Sequence, residues 1–165
     1  TLGGNFSFTP SEYTEDMWIM DTGGHDAPAS LFPTDATAVL KNINGNQLLQ
    51  VPELKYTAWA SYVWPNSNGS SLELFAVYNW IDEVYYSPFE SEREKAGEYD
   101  RLDIRATWKS AGGNWKISAF VNNVFDDVGI LQVLRQGEGE FFRRSAGTTV
   151  PRLMGLELTY ALNGS

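Results

Sequence analysis

The sequence lacks cysteine, has a single histidine and contains no long apolar run, and each absence excludes a class of protein. Without cysteine there is no disulfide, no thiolate metal site and no cysteine nucleophile. His25 stands alone in a loop-like stretch, so neither a Ser-His-Asp arrangement nor a histidine cluster for zinc is available. We expect His25 to be a solvated loop residue, and we expect no enzyme activity and no cofactor.

Apolar residues never form a run of about 18, which excludes a transmembrane helix. A membrane β-barrel stays possible, because its strands dilute apolar residues with polar ones. Basic residues are also scarce: 12 Lys and Arg face 21 Asp and Glu, for a net charge of -9. Nucleic-acid binding recruits basic side chains to neutralise phosphates, so that class of partner is excluded.

The chain begins in strand-like sequence, with neither a starting Met nor a signal peptide. We therefore expect it to be cut from something longer. Its 165 residues are enough for one domain with a core.

Apolar and charged residues alternate from residue 100 to residue 108. Leu102, Ile104, Ala106 and Trp108 fall on one side, and Arg101, Asp103, Arg105, Thr107 and Lys109 fall on the other. Successive side chains of a strand point to opposite faces, so this segment is predicted to be a strand with one apolar and one charged face. The same split recurs along the chain. It indicates a sheet with one face toward lipid and the other toward water.

Six such strands are predicted, in an antiparallel up-and-down meander. They are expected at about residues 2–13, 52–64, 70–87, 100–108, 115–125 and 148–162. The turns around Asn66 and Gly112 are short and lie at one end, whereas long connections lie at the other, as in outer-membrane barrels. Several strands reach the roughly 9–11 residues that cross a bilayer.

Trp64, Trp108 and Trp115 all lie beside the short turns. Amphipathic rings concentrate where hydrocarbon meets headgroups, so these residues are predicted to form a girdle at that rim. In the alternative interpretation they cap the core of a soluble sandwich.

Three short motifs follow one another along the chain. They are Gly45-Asn46-Gln47-Leu48 before Pro52-Glu53, then Val121-Asn122-Asn123-Val124-Phe125-Asp126, and finally Pro151-Arg152-Leu153-Met154-Gly155 before a closing strand. Together they resemble the last strands of TonB-dependent outer-membrane receptors. The resemblance covers residues 1–165 and aligns them with the C-terminal six strands of a 22-stranded barrel.

The resemblance implies an all-β fold that is part of a transmembrane β-barrel in a Gram-negative outer membrane. In this family the barrel encloses an N-terminal plug, and the TonB complex pulls on the plug to admit a scarce nutrient such as a ferric siderophore, a cobalamin or a glycan. The implied partners are therefore outer-membrane lipid, the rest of the barrel, the plug, TonB through the plug, and a small nutrient ligand. Neither a plug nor a TonB-binding segment is recognisable in residues 1–165.

The end of the chain departs from the family pattern. The family normally ends on Phe, which the assembly machinery reads, but here Leu162 takes that place and Asn163-Gly164-Ser165 follow it. Either recognition by that machinery is inefficient or the tail is foreign.

Several polar residues have both a functional and a structural interpretation. Asp126-Asp127 could bind a hard cation, although adjacent Asp residues more often start a turn. The mixed charges of residues 90–95 could belong to a ligand-contacting loop, but are expected to form a solvated face. Arg143-Arg144, near Phe141 and Phe142, could touch an anionic ligand or lipopolysaccharide.

Asn122 and Asn123 are expected to bond the backbone at a strand end rather than to contact a ligand. The charged residues of the strand at 100–108 are expected to face the lumen and to interlock with the plug or with neighbouring strands. They are Arg101, Asp103, Arg105 and Lys109. The sequence identifies no ligand-binding residue.

Two alternatives stay open. A soluble β-sandwich that binds carbohydrate would use Trp and Tyr as stacking platforms and bury Leu102, Ile104 and Ala106 against a second sheet. A passive porin-type barrel would share the alternation but not the three motifs.

Six strands are too few to close a barrel of about eight, and unpaired edges cannot persist in hydrocarbon. Alone, this segment is expected to aggregate or to need detergent.

Overall fold

The chain folds into one six-stranded sheet with three small ribbons at one end. The computed structural model describes residues 1–21, 39–136, 140 and 143–162. The strands are β1 (Leu2–Phe8), β2 (Trp18–Asp21), β3 (Val39–Asn42), β4 (Leu54–Pro65), β5 (Ser71–Ile81), β6 (Val84–Tyr85), β7 (Lys95–Ala96), β8 (Tyr99–Lys109), β9 (Trp115–Asn122), β10 (Ile130–Arg135), β11 (Arg144–Thr148) and β12 (Leu153–Tyr160). A 3-10 turn occupies Glu92–Glu94. Among the described residues no helix has the length and apolarity to span a membrane.

The main sheet has the order β1-β4-β5-β8-β9-β12, and every neighbouring pair is antiparallel. The predicted six-stranded meander is therefore confirmed. The ribbons are β2-β3, β6-β7 and β10-β11, and they lie in the long connections between the main strands.

Some predicted strand ends are wrong. The first strand ends at Phe8 rather than at residue 13, since Pro10 has no backbone N–H to donate to a ladder. The strand predicted at 115–125 ends at Asn122, because Asn123 adopts a φ of 56°. The last strand begins at Leu153 rather than at residue 148, which closes the separate strand β11.

Tight turns join β4 to β5 and β8 to β9. In the first turn Asn66 N donates to Ser70 O at 2.8 Å, and in the second Ser110 N donates to Trp115 O at 3.0 Å. Gly69 and Gly113 have φ values of 86° and 73°, which only glycine adopts without strain. The lopsided arrangement of short and long connections is therefore present.

The register aligns the apolar rows of neighbouring strands on one face of the sheet. One row pairs Ala60 with Ala76, Ala76 with Ile104, and Ile104 with Val121. The next row, on the opposite face, pairs Phe75 with Arg105 and Arg105 with Phe120. A single parity therefore holds from β4 to β9, and β1 and β12 continue it.

No second layer covers the apolar face within the described part of the chain. Leu156 is 80% exposed and Leu158 is 66% exposed, and Tyr62 and Leu74 are exposed as well. Leu102, Ile104 and Ala106 are only half-buried. The sandwich alternative, which requires those three side chains beneath a second sheet, is therefore wrong.

Aromatic pairs mark both ends of this apolar face. At the short-turn end the rings of Tyr62 and Trp64 lie 4.5 Å apart, as do those of Trp115 and Tyr160. Trp108 lies in the same rim, so the predicted clustering of tryptophans at one end is confirmed. At the other end Tyr56 stacks on Trp80 at 5.4 Å.

Trp64 and Tyr56 lie eight residues apart on β4, which is about 26 Å along the strand. A tilt of about 40° reduces this height to about 20 Å, comparable with the roughly 25 Å apolar band of a membrane barrel.

Candidate functional site

The long connections meet one another at the end of the sheet opposite the tight turns. We call residues 9–53, 82–98 and 123–152 the first, second and third long connections. Hydrogen bonds join the first to the second: Asn46 Nδ2 donates to Pro88 O at 2.8 Å, Gln47 N to Glu90 Oε1 at 2.6 Å, and Gln50 N to Tyr85 O at 3.0 Å. The stretch that carries the first sequence motif is therefore a docking segment for the second connection.

An open cavity of about 540 Å³ lies between the first and second connections. It is lined by Pro10, Ser11, Glu12, Gly45, Gln47, Glu53, Glu83, Tyr85 and Glu90. Four of these residues are glutamates, and at least one is committed to an internal bond, since Glu90 accepts from Gln47 N. The cavity is acidic and concave, so its chemistry suits the binding of a ligand.

Lys95 moderates this acidity. Its Nζ lies 2.7 Å from Glu83 Oε2 and 5.5 Å from the centre of the Tyr85 ring. The hydrogen bond to Glu83 raises the pKa of Lys95, so its ammonium stays charged beside the cavity. Burial raises the pKa of Tyr85, which remains a neutral phenol with its ring on the cavity wall.

The second connection also binds the third. Glu94 is 2% exposed, and its Oε1 lies 3.2 Å from Arg144 Nε and 3.9 Å from Arg135 Nε. Tyr86 Oη donates to Leu131 O at 2.5 Å. These contacts tie the turn at Glu92–Glu94 to both strands of the β10-β11 ribbon.

The expectation of a solvated face at residues 90–95 is therefore wrong for Glu94 and Ser91, which are buried. It holds for Glu92, whose side chain is 77% exposed. The stretch is uniformly polar in sequence, but its fold turns one carboxylate inward against two arginines.

Arg144 is directed at this internal carboxylate. Its neighbour Arg143 donates through Nε to Gln136 Oε1 at 2.9 Å. Phe141 and Phe142 lie outside the described residues, as does His25. A contact of Arg143 with an anionic ligand or lipopolysaccharide stays a prediction.

Asn123 organises the start of the third connection. It is 1% exposed, its backbone N donates to Asp103 Oδ1 at 2.7 Å, and its Nδ2 donates to Asp127 O at 2.7 Å and to Val150 O at 3.3 Å. Asn123 is therefore bonded to backbone at a strand end, as expected from the sequence. Asn122 precedes it as the last residue of β9.

The Asp126 carboxylate is bonded to Arg152. Its φ is 63°, its Oδ1 accepts from Arg152 N at 2.8 Å, and its Oδ2 lies 3.1 Å from Arg152 Nη2. The turn interpretation of Asp126-Asp127 fits this geometry. Within the described ranges no group of three His, Asp or Glu residues is arranged to hold a metal ion.

The polar face of the sheet carries the predicted charged residues. Arg105 binds Glu157 at 2.5 Å across β9, and its guanidinium lies 5.0 Å from the centre of the Phe120 ring. Arg101 binds Asp103 on its own strand at 2.7 Å. Interlocking with neighbouring strands is thus confirmed for Arg105.

Lys109 lies opposite Lys116 in the register, at the short-turn end of this face. Contact of the charged residues with a plug stays a prediction.

Sequence reasoning missed Glu94, Tyr86 and Gln47 as the residues that join the connections. Each binds a partner more than 40 positions away. No periodic pattern signals such contacts between irregular segments. A mixed-charge stretch with an arginine pair later in the chain is the one available hint.

Comparison with known proteins gives a family and a fold. A family model described as "TonB dependent receptor-like, beta-barrel" matches residues 1–124. A crystal structure of the ferric yersiniabactin uptake receptor FyuA from Yersinia pestis superposes with a TM-score of 0.60, at 19% identity. That match covers 74% of this chain but 19% of the receptor, so the chain spans about a fifth of that receptor's length. No curated protein matches.

Proposed function

The chain belongs to the family of TonB-dependent receptor-like β-barrels, and on that premise we propose that it is part of an outer-membrane receptor that imports a scarce nutrient. In this proposal the apolar face meets lipid and the polar face lines the lumen. The long connections face the cell exterior. The rest of the barrel pairs with β1 and β12, and TonB drives uptake through a plug inside the barrel.

One observation carries the membrane assignment. The apolar face is six strands wide, has no covering layer among the described residues, and lies between two aromatic rims. Soluble proteins rarely leave so large an apolar surface open to water. In a bilayer the same surface meets hydrocarbon, and the aromatic rims lie at headgroup level.

The ligand is proposed by class: a ferric siderophore, a cobalamin or a glycan. The structural neighbour is a receptor for ferric yersiniabactin, which supports the siderophore class. The open cavity between the first and second long connections offers carboxylates and the Tyr85 ring to a ligand that arrives from outside. A passive porin is not favoured, since the family is one of receptors.

A pair of substitutions on β12 tests the lipid-facing assignment. Leu156 lies on the apolar face and Thr159 on the polar face, opposite Lys116. We expect Leu156→Asp to reduce folded protein in the outer membrane strongly, because a charge in hydrocarbon costs on the order of 2 kcal/mol or more. Thr159→Asp, the matched control, should assemble like the parent protein.

Heat-modifiable mobility on gels of outer-membrane fractions would measure the folded fraction. Equal assembly of both variants, or a Leu156→Asp protein that is better folded in detergent-free buffer, would contradict the assignment.

Transport is tested separately. Deletion of the protein should abolish uptake of one labelled ligand class from a panel of ferric siderophores, cobalamin and maltodextrins. Loss of TonB in the same strain should abolish that uptake equally. Uptake that persists without TonB would point to passive diffusion and overturn the proposed mechanism.

A further inference from the structure

We propose that Glu94 is a buried latch that makes the β10-β11 ribbon and the second long connection open together rather than one at a time. This coupling is a mechanical property of the connections and is distinct from the transport role. It stands on the register of the ribbon and on the burial of one carboxylate.

Two arginines lie side by side in the ribbon. Arg135 on β10 is the direct cross-strand partner of Arg144 on β11. Like charges directly opposite each other destabilise an antiparallel pair. Both side chains are mostly buried, which strengthens their repulsion, since the effective dielectric constant is lower than in water.

Glu94 brings the compensating charge from another part of the chain. Its Oε1 lies within 4 Å of the Nε atoms of both arginines, and its side chain is 3% exposed. The carboxylate therefore lies beside the arginine pair of a ribbon to which it does not belong. A residue of the second long connection therefore contributes to the charge balance of the ribbon.

The backbone holds Glu94 in this position. Glu94 N donates to Ser91 O at 2.8 Å, and Tyr86 N donates to Glu94 O at 2.7 Å. A second contact between the second long connection and the ribbon lies nearby, where Tyr86 Oη donates a hydrogen bond to Leu131 O on β10. The turn cannot move away from the ribbon without breaking both the contact of Glu94 with the arginines and the hydrogen bond of Tyr86 to Leu131.

Departure of Glu94 would remove this carboxylate from beside two opposed arginines, which favours separation of the ribbon at that point. Separation of the ribbon would in turn leave a buried carboxylate without these two cations, which is costly. Each event favours the other, so the two connections share one opening equilibrium. The first connection joins them through the bond from Gln47 to Glu90.

Hydrogen–deuterium exchange of the detergent-purified protein tests this latch. Glu94→Gln should speed amide exchange in residues 130–135 and 144–148, and in residues 84–96, by roughly tenfold or more. Glu92→Gln is the matched control on the same turn, since its side chain is exposed, and it should change exchange less than about twofold.

The double variant Glu94→Gln with Arg144→Gln distinguishes a latch from simple packing. Removal of one arginine relieves the repulsion, so the ribbon should exchange more slowly in the double variant than in Glu94→Gln alone. The proposal would be overturned if the ribbon exchanged faster in the double variant than in Glu94→Gln alone. It would also be overturned if Glu94→Gln exchanged at the same rate as Glu92→Gln.

A milder variant keeps the test open if Glu94→Gln does not assemble. Tyr86→Phe removes the hydroxyl that bonds Leu131 and keeps the ring. It should speed exchange severalfold in both residues 84–96 and residues 130–135. Faster exchange in one segment without the other would show that the connections open independently and would overturn the proposal.

Discussion

Phe120 covers Gly155. A Cβ atom on Gly155 would lie 2.7 Å from Cζ of the Phe120 ring, so the ring occupies the space that any other residue would need. Trp59 covers Gly3 in the same way at the opposite edge of the sheet. Both edge strands of the sheet therefore present a glycine on the polar face, and an aromatic ring from the neighbouring strand lies over it. Aromatic rings that cover edge glycines are a known stabilising device of β-sheets.

We expect Gly155→Ala to destabilise the protein by about 1–3 kcal/mol, since the new methyl group forces the Phe120 ring out of place. Gly147→Ala is the matched control, because a Cβ there would meet its nearest neighbour, Gln132 Cβ, at 4.0 Å. Urea unfolding in detergent micelles, followed by tryptophan fluorescence, measures both. Equal unfolding midpoints for the two variants would contradict the expectation.

Asn123→Ala should cost about 2–3 kcal/mol. The substitution removes two side-chain hydrogen bonds, worth about 1 kcal/mol each, and places alanine at a φ of 56°. Asn123→Gly, which fits that φ, should cost less. Asn122→Ala provides the control at the adjacent position, and the same unfolding assay applies. A ranking in which alanine is better tolerated than glycine would refute this account.

The pair of Arg105 and Glu157 should contribute little stability in spite of its short distance. Their side chains are 38% and 52% exposed, and exposed pairs contribute about 0–1 kcal/mol. A double-mutant cycle with Arg105→Gln and Glu157→Gln should give a coupling energy below about 1 kcal/mol. A coupling above about 2 kcal/mol would mean that the pair is far better shielded from water than its exposure indicates.

Asp16 makes one part of the first connection sensitive to acid. Its Oδ1 accepts from Asn42 Nδ2 at 2.8 Å and from Asn44 Nδ2 at 2.9 Å, and these bonds lower the pKa of Asp16. A carboxyl whose folded-state pKa is lowered stabilises the fold above its unfolded pKa of about 3.9, and this stabilisation is lost as the pH falls through the folded value.

The side-chain amide NMR signals of Asn42 and Asn44 should therefore titrate together, with a midpoint below about 3.9. Asp16→Asn should abolish that titration. A midpoint at or above the ordinary carboxyl value would show that the two amide bonds are not maintained in solution.

Alternation in the sequence was sufficient to predict the main sheet. Ile104 and Arg105 fall on opposite faces because a strand has a period of two, and the register carries this parity from β4 to β9. The short turns were predictable for a similar local reason, since Gly69 and Gly113 supply the positive φ that each turn requires.

The joined connections could not be predicted from the sequence. Glu94 lies in a stretch whose composition indicates solvent exposure, and its burial depends on Arg144, 50 positions later. Likewise, the hydrogen bond from the backbone N–H of Gln47 to the Glu90 carboxylate forms because two irregular segments dock together. Such contacts have no period and no local signal, so they emerge only once the sheet has set the spacing of the connections.

Strand order in the main sheet equals chain order, apart from the small ribbons that interrupt it. No strand has to be inserted between two others that are already in place. Each arriving strand can add its backbone to the edge left by its predecessor, one hairpin after another. In the proposed membrane setting the sheet can therefore enter the bilayer stepwise, with the edge that accepts the next strand moving along the chain.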